Sequence, residues 1–261
     1  MNLLKTIAVS GLVLTVVALS GCSSTSTTAG TSNGPNDSGP VVAIISDVSG
    51  STKPQRAPNG VYEQGWIDAA TATALARGSL WAATADGQTL SSSTWQVNGR
   101  GFKESIEGND LLAEAELKKQ AEDMRPEARK ILAVNRNGSD LLGALQAASR
   151  LFADYPDRTR ALVLLTDGGL TEGINVAKNL PKTEAERKKA IKRLKGQGLI
   201  ADLTGGSGEP VRVWIGGLGT GVGKSNPATT VAVIELWKDL IPAANGELVS
   251  QDSNLRLIGF P

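Results

Sequence analysis

Two kinds of apolar segment alternate along this chain. Val41 to Ile45, Ala161 to Leu165 and Val211 to Ile215 are short and almost continuously apolar, the pattern of strands covered on both faces. Between them lie longer segments with apolar residues at helical spacing. Such alternation predicts an α/β fold over residues 41–261: a doubly wound, mostly parallel central sheet with helices on both faces. A helix is expected from Val61 to Ala76, ended by Gly78. Ser79 to Ala85 and Thr94 to Val97 read as weaker strands joined through Asp86-Gly87, an antiparallel hairpin at a sheet edge. Leu111 to Ala133 is helical, with Leu111, Leu112, Ala115, Ala121, Met124, Ala128, Ile131 and Leu132 as its apolar stripe and Pro126 kinking or splitting it. Ser139 to Ala153 forms the next helix, and Thr183 with Glu186 makes a capping box for a helix ending near Gly196. Thr229 to Ile241 is the last long helix, and Glu247 to Val249 adds a short final strand.

The amino-terminal segment departs from this pattern. Ile7 to Leu19 is apolar and preceded by Lys5, but it is interrupted by Ser10, Gly11 and Thr15 and falls short of the roughly 20 residues of a membrane span. Residues 1–21 therefore read as a signal peptide. Leu19-Ser20-Gly21-Cys22 resembles a bacterial lipobox, which implies cleavage before Cys22 and acylation of its sulfur and amine. From Ser23 to Pro40 the chain is rich in Ser, Thr, Gly and Pro and has too little apolar surface to offset ordering entropy, so residues 22–40 read as a lipidated cysteine and a flexible tether. The expected location is a bacterial cell membrane, lipid-anchored and facing the extracytoplasmic side.

Composition narrows the chemistry. The 261 residues include no histidine and one cysteine, which excludes His-dependent nucleophilic catalysis, His-containing zinc sites and an intrachain disulfide. With 27 basic and 26 acidic residues, nothing in the overall charge points to nucleic acid.

Asp47-Val48-Ser49-Gly50-Ser51 follows the first strand at its carboxyl end, where ligands bind in open α/β sheets. Asp167 occupies the same place after another strongly apolar strand, and Ser139 follows the turn-forming pair Asn137-Gly138. Two carboxylates and three hydroxyls suit a hard cation that keeps positions open for a further oxygen ligand. Asp-x-Ser-x-Ser after a buried strand, a hydroxyl residue opening a middle helix, and a strand ending in Thr-Asp-Gly together resemble the von Willebrand factor type A fold with its metal-ion-dependent adhesion site. The resemblance covers about Val41 to Val249. It implies a divalent cation, Mg²⁺ ahead of Mn²⁺ or Ca²⁺, held by Asp47, Ser49, Ser51, Ser139 and Asp167. Ser139 stands where the family usually has Thr, which keeps the oxygen and loses a methyl group. The implied activity is binding, not catalysis, with a partner protein's carboxylate completing the ion's coordination.

Other readings compete with this one. Taken singly, Asp47 can cap a turn, Ser49 and Ser51 can be loop hydroxyls, and Ser139 can be an N-cap on a type A scaffold without metal. A phosphatase of the haloacid dehalogenase type would use Asp47 as nucleophile, but the acid or base expected two residues on is replaced by Ser49. Gly219 to Ser225 imitates a nucleotide-binding P-loop, yet the motif needs glycine where the chain has Leu218, so no nucleotide is expected. The basic run Lys188, Lys189, Lys192, Arg193 and Lys195 reads as a solvated helix face near a C-terminus. Trp66, Trp81, Trp95, Trp214 and Trp237 are scattered over predicted elements and read as packing residues.

Overall fold

The computed structural model describes residues 38–87, 95–106, 108–221 and 226–261. The signal peptide, Cys22 and the tether up to residue 37 lie outside the described residues, as do Thr94 and residues 222–225 of the glycine-rich loop. Six strands form one sheet: β1 (Val41–Asp47), β2 (Ser79–Ala85), β3 (Val97–Gly101), β4 (Arg160–Leu165), β5 (Val211–Gly216) and β6 (Gly246–Asp252). Their spatial order is β3-β2-β1-β4-β5-β6, all pairs being parallel except β2 with β3. This is the doubly wound order of dinucleotide-binding sheets, and its strand order reverses between β1 and β4. An antiparallel edge strand lies, as expected, between the first and second long helices, but it is Val97–Gly101, whereas the sequence predicts it over Thr94 to Val97.

The helices are α1 (Val61–Leu75), α2 (Asp110–Glu122), α3 (Arg125–Leu132), α4 (Leu141–Ala153), α5 (Val176–Asn179), α6 (Glu184–Gly196) and α7 (Pro227–Ala243). Strand alternation divides the core in two. Val41, Ala43 and Ile45 face Leu145, Phe152 and Trp237, whereas Val42 and Ile44 face Trp66, Leu117 and Leu132. Both faces of β1 are thus sealed, and each fully buried aliphatic side chain contributes about 1.5–3 kcal/mol relative to exposure. Trp66, Trp214 and Trp237 are fully buried and Trp81 nearly so, in keeping with packing roles. No helix among the described residues is long and apolar enough to cross a membrane.

Three local expectations are corrected. The helical segment 111–133 is split as expected, at Asp123-Met124, with Pro126 in the first turn of α3 where its missing N–H costs nothing, but its apolar stripe differs from the expected one. Its buried row is Ala113, Leu117, Ala121, Met124, Ala128 and Ile131, so Leu111 (79% exposed), Leu112 and Ala115 lie outside it. The adjacent leucines drew only the first part of the stripe off its face, while Ala121, Met124, Ala128, Ile131 and Leu132 are buried as expected, and Leu117, four residues from both Ala113 and Ala121, marks the face in the first part. At the end of α1 the left-handed residue is Arg77 (φ 52°), not Gly78. The Gly78 N–H donates to the Thr73 carbonyl and the Arg77 N–H to that of Ala74, a Schellman closure. Finally, Asp86-Gly87 does not form a tight hairpin turn, because β3 starts only at Val97. Both residues instead pair with the loop before α4: Asp140 N–H donates to the Asp86 carbonyl and Gly87 N–H to that of Asn137.

Candidate metal centre

The reversal of strand order leaves a crevice at the carboxyl ends of β1 and β4, and the two aspartates stand on its two sides. Asp47 is the last residue of β1 and is fully buried. Its Oδ1 accepts from the Ser49 N–H at 2.9 Å, an Asx turn that bends the chain away from the sheet. A 3-10 turn over Gly50–Thr52 follows, and the Thr52 hydroxyl closes it on the carbonyls of Asp47 and Ser49, each at 2.9 Å. This turn brings the Ser49 and Ser51 hydroxyls to 3.1 Å from one another.

Asp167, also fully buried, follows β4 and repeats the device: its Oδ1 accepts from the Gly169 N–H at 2.9 Å. The intervening Thr166 hydroxyl donates to Asp47 Oδ2 at 2.9 Å. Gly221 closes the far side. A Cβ there would lie 2.2 Å from Asp167 Oδ2 and 2.8 Å from the Ser51 carbonyl oxygen, so the loops after β1, β4 and β5 converge on a point that only glycine can line. The electrostatics report the same proximity. Burial, and then the charge of Asp167, push the Asp47 carboxyl up to about 6, against the donors of Ser49 and Thr166. Burial and the charges of Asp47 and Asp167 likewise raise the phenol of Tyr62, in the first turn of α1.

Ser139 reaches the same end of the sheet on a loop that is stitched in place. Gly138 turns the chain at φ 80°, and the Arg136 N–H donates to the Val48 carbonyl at 3.0 Å. Thr171 clamps Ser139 from the other side: its hydroxyl accepts from the Ser139 N–H at 2.8 Å, and its N–H donates to the Ser139 carbonyl at 3.1 Å. Ser139, for which an N-cap is the competing reading, does not cap α4. Asp140 is the N-cap, accepting from the Gly143 N–H at 2.8 Å. The Ser139 hydroxyl, released from capping, is buried and has no hydrogen-bond partner.

Several supporting residues were not singled out from the sequence. Thr171 is the main one, and the hold of Thr166 on Asp47 was not foreseen although Thr166 opens the Thr-Asp-Gly motif. Arg56 is another: it is buried, and its guanidinium donates to the carbonyls of Ser49 (3.1 Å), Leu132 (2.6 Å) and Val134, to Asn135 Oδ1 (3.0 Å) and to the Thr52 hydroxyl (3.0 Å). Burial lowers its pKa while the charge of Asp47 opposes that shift. Its one sequence signal is its isolation in a Pro- and Gly-bounded loop, and only the tertiary structure shows what it gathers.

The arrangement suits a hard cation. It offers oxygen donors alone, two carboxylates in each other's field and one buried hydroxyl lacking a partner. No group of three or more His, Cys, Asp or Glu side chains gathers among the described residues, so the carboxylate count stays at two. Asp47 is poorly arranged as a nucleophile, since both its oxygens accept hydrogen bonds and Ser49 offers no carboxylate for proton transfer.

No family model and no curated protein matches the sequence. Among solved structures, the chain is similar to a von Willebrand factor type A protein from Catenulispora acidiphila, with 16% identity and a TM-score of 0.31 over 79% of this chain and 43% of that one. It is similar also to the pilus adhesin SpaC of Lactobacillus rhamnosus GG in its open conformation (15% identity, TM-score 0.44, 85% of this chain and 28% of that one). A third is a mutant of the PilB minor pilin from Streptococcus sanguinis (10% identity, TM-score 0.44, 83% and 58%). The chain spans less than two thirds of each of these structures.

Proposed function

We propose that this chain is an extracytoplasmic lipoprotein, anchored through Cys22, whose type A-like domain binds a divalent cation and through it a carboxylate of a protein partner. Asp47, Ser49, Ser51, Ser139 and Asp167 would hold the ion, Mg²⁺ ahead of Mn²⁺ or Ca²⁺. The observation that carries this reading is the pair of fully buried carboxylates, Asp47 and Asp167, at the strand-order reversal, where burial and then the charge of Asp167 raise the Asp47 carboxyl, together with the unpartnered buried hydroxyl of Ser139 on the loop before α4. The bound ion supplies a Lewis-acidic position open to an incoming oxygen. The neutral hydroxyls leave it more attractive to a carboxylate than an all-carboxylate cage would. The chain's own contribution is positional: the Asx turns at Asp47 and Asp167 fix one oxygen of each, and Thr171 fixes Ser139.

The test is a cation titration followed by calorimetry and thermal melting. Mg²⁺ or Mn²⁺ should raise the melting temperature, with a gain of about 2.7 kcal/mol at a hundredfold excess over the dissociation constant. Asp47→Ala and Asp167→Ala should abolish the gain, and a chelator should release any captured partner. A melting curve indifferent to all three ions, together with partner capture unchanged in chelator, overturns the reading. For the anchor, loss of detergent-phase partitioning in Cys22→Ala is expected, and its retention argues against lipidation.

A further inference from the structure

A groove of about 730 Å³ opens beside the candidate centre, between the loop before α1 and the start of α7. Pro54 and Val61 form one wall, Pro227 and Val231 the other, and Gly219 with Thr220 the floor. It adjoins the centre directly, because Thr220 precedes Gly221, the residue packed against Asp167 Oδ2. The Gln55 amide donates to the Thr220 hydroxyl at 2.9 Å and ties one wall to the floor. Gln55 is itself nine-tenths buried, and its Oε1 has no partner.

Two properties define what fits. No described residue lining the groove is ionisable, so a charged side chain entering it would lose water and gain no counter-ion from those residues. The rim is apolar: Val61 and Val231 are among the few large hydrophobic side chains exposed on the described residues, and both border this one groove. The neighbouring centre, on the cation reading, takes a carboxylate. We propose that the groove seats the apolar side chain of an acidic protein segment, so that the ligand is an extended stretch in which leucine or an aromatic residue adjoins an aspartate or glutamate. This rests on the cation reading for the carboxylate half alone. The groove adds specificity, since every exposed carboxylate could reach an open cation, but only one flanked by a bulky apolar residue fills both places.

The experiment compares two blocked hexapeptides, one containing Leu-Asp-Leu and one Gly-Asp-Gly, titrated against the full chain with Mg²⁺ and again in chelator, and followed by NMR. The leucine peptide should bind at least tenfold more tightly than the glycine peptide in Mg²⁺. The double variant Val61→Ser, Val231→Ser changes exposed positions only, and unchanged circular dichroism melting checks its fold. It should erase that preference and leave Mg²⁺ affinity intact. Equal affinity for both peptides, or a preference that survives in the double variant, overturns the groove proposal. A leucine preference that persists in chelator and vanishes in the double variant supports the groove and overturns the cation reading, so the two failures are distinguishable.

Discussion

The hydroxyl of Thr166 donates to Asp47 Oδ2 at 2.9 Å while accepting the Gly168 N–H at 2.9 Å, so one side chain on β4's exit holds the carboxylate on β1's exit. Removing it leaves a buried carboxylate oxygen and a buried N–H without partners. Thr166→Val keeps the shape and should cost about 1–3 kcal/mol in urea unfolding. Thr166→Ser should recover most of that loss, whereas equal destabilisation by both variants would assign the effect to packing.

Gly221 sets a steric limit on the centre. Gly221→Ala places a methyl group where Asp167 Oδ2 now lies, and displacing that carboxylate should weaken Mg²⁺ binding by about tenfold or more. Calorimetry on the variant checks this, and an affinity equal to the parent's would mean that Asp167 takes no part.

Arg56 fastens the loop after β1 to the segment after α3. Arg56→Leu should destabilise the fold by about 3 kcal/mol, because several buried carbonyls lose their donor together. Arg56→Lys should recover little, since a single ammonium cannot span the positions that a planar guanidinium reaches. Thermal denaturation of the two variants separates a requirement for charge from one for geometry.

Glu63 on α1 is buried and accepts from Arg125 at 2.8 Å and Arg129 at 3.0 Å on α3. The Arg129 donor first, with Arg125 and the Asn59 N–H adding to it against burial, lowers its carboxyl from 4.5 to about 2. A folded-state value below the unfolded one gives stability that is complete above about pH 4.5 and lost as pH falls through about 2. After allowance for the half-exposed Arg129, the contribution is about 2 kcal/mol. Glu63→Gln should therefore be less stable at pH 7 by that amount and approach the parent near pH 2. A difference independent of pH would show that the ion pairs contribute nothing.

What the sequence made legible was whatever depends on local pattern. The strands Val41 to Ile45 and Ala161 to Leu165 are continuous apolar runs because both sheet faces are covered, and their exits at Asp47 and Asp167 could be marked before any topology was known. The capping box of Thr183 and Glu186 is equally local, and both reciprocal hydrogen bonds are present. Non-local relationships were not legible. Ser139 and Asp140 are both good capping residues, and the choice between them depends on Thr171, 32 residues away, which holds the Ser139 backbone. Arg77 takes the left-handed position, while Gly78 meets a different demand: a Cβ there would lie 2.7 Å from the Pro40 carbonyl, a neighbour supplied by the sheet. Arg56 binds carbonyls more than 70 residues away, and carbonyls leave no mark on a sequence.

The position of β1 also has a mechanical consequence. This strand begins at the end joined to the amino-terminal segment and finishes at the candidate centre, a path of about 23 Å through seven residues. On the proposed function, tension between the lipid anchor and a captured partner would enter and leave along this same strand. The strand is flanked by parallel ladders to β2 and β4, so the pull loads their hydrogen bonds in shear, all together. Single-molecule pulling between residue 40 and the loop at Ser51 should give a high rupture force, and a low one would place the load path elsewhere.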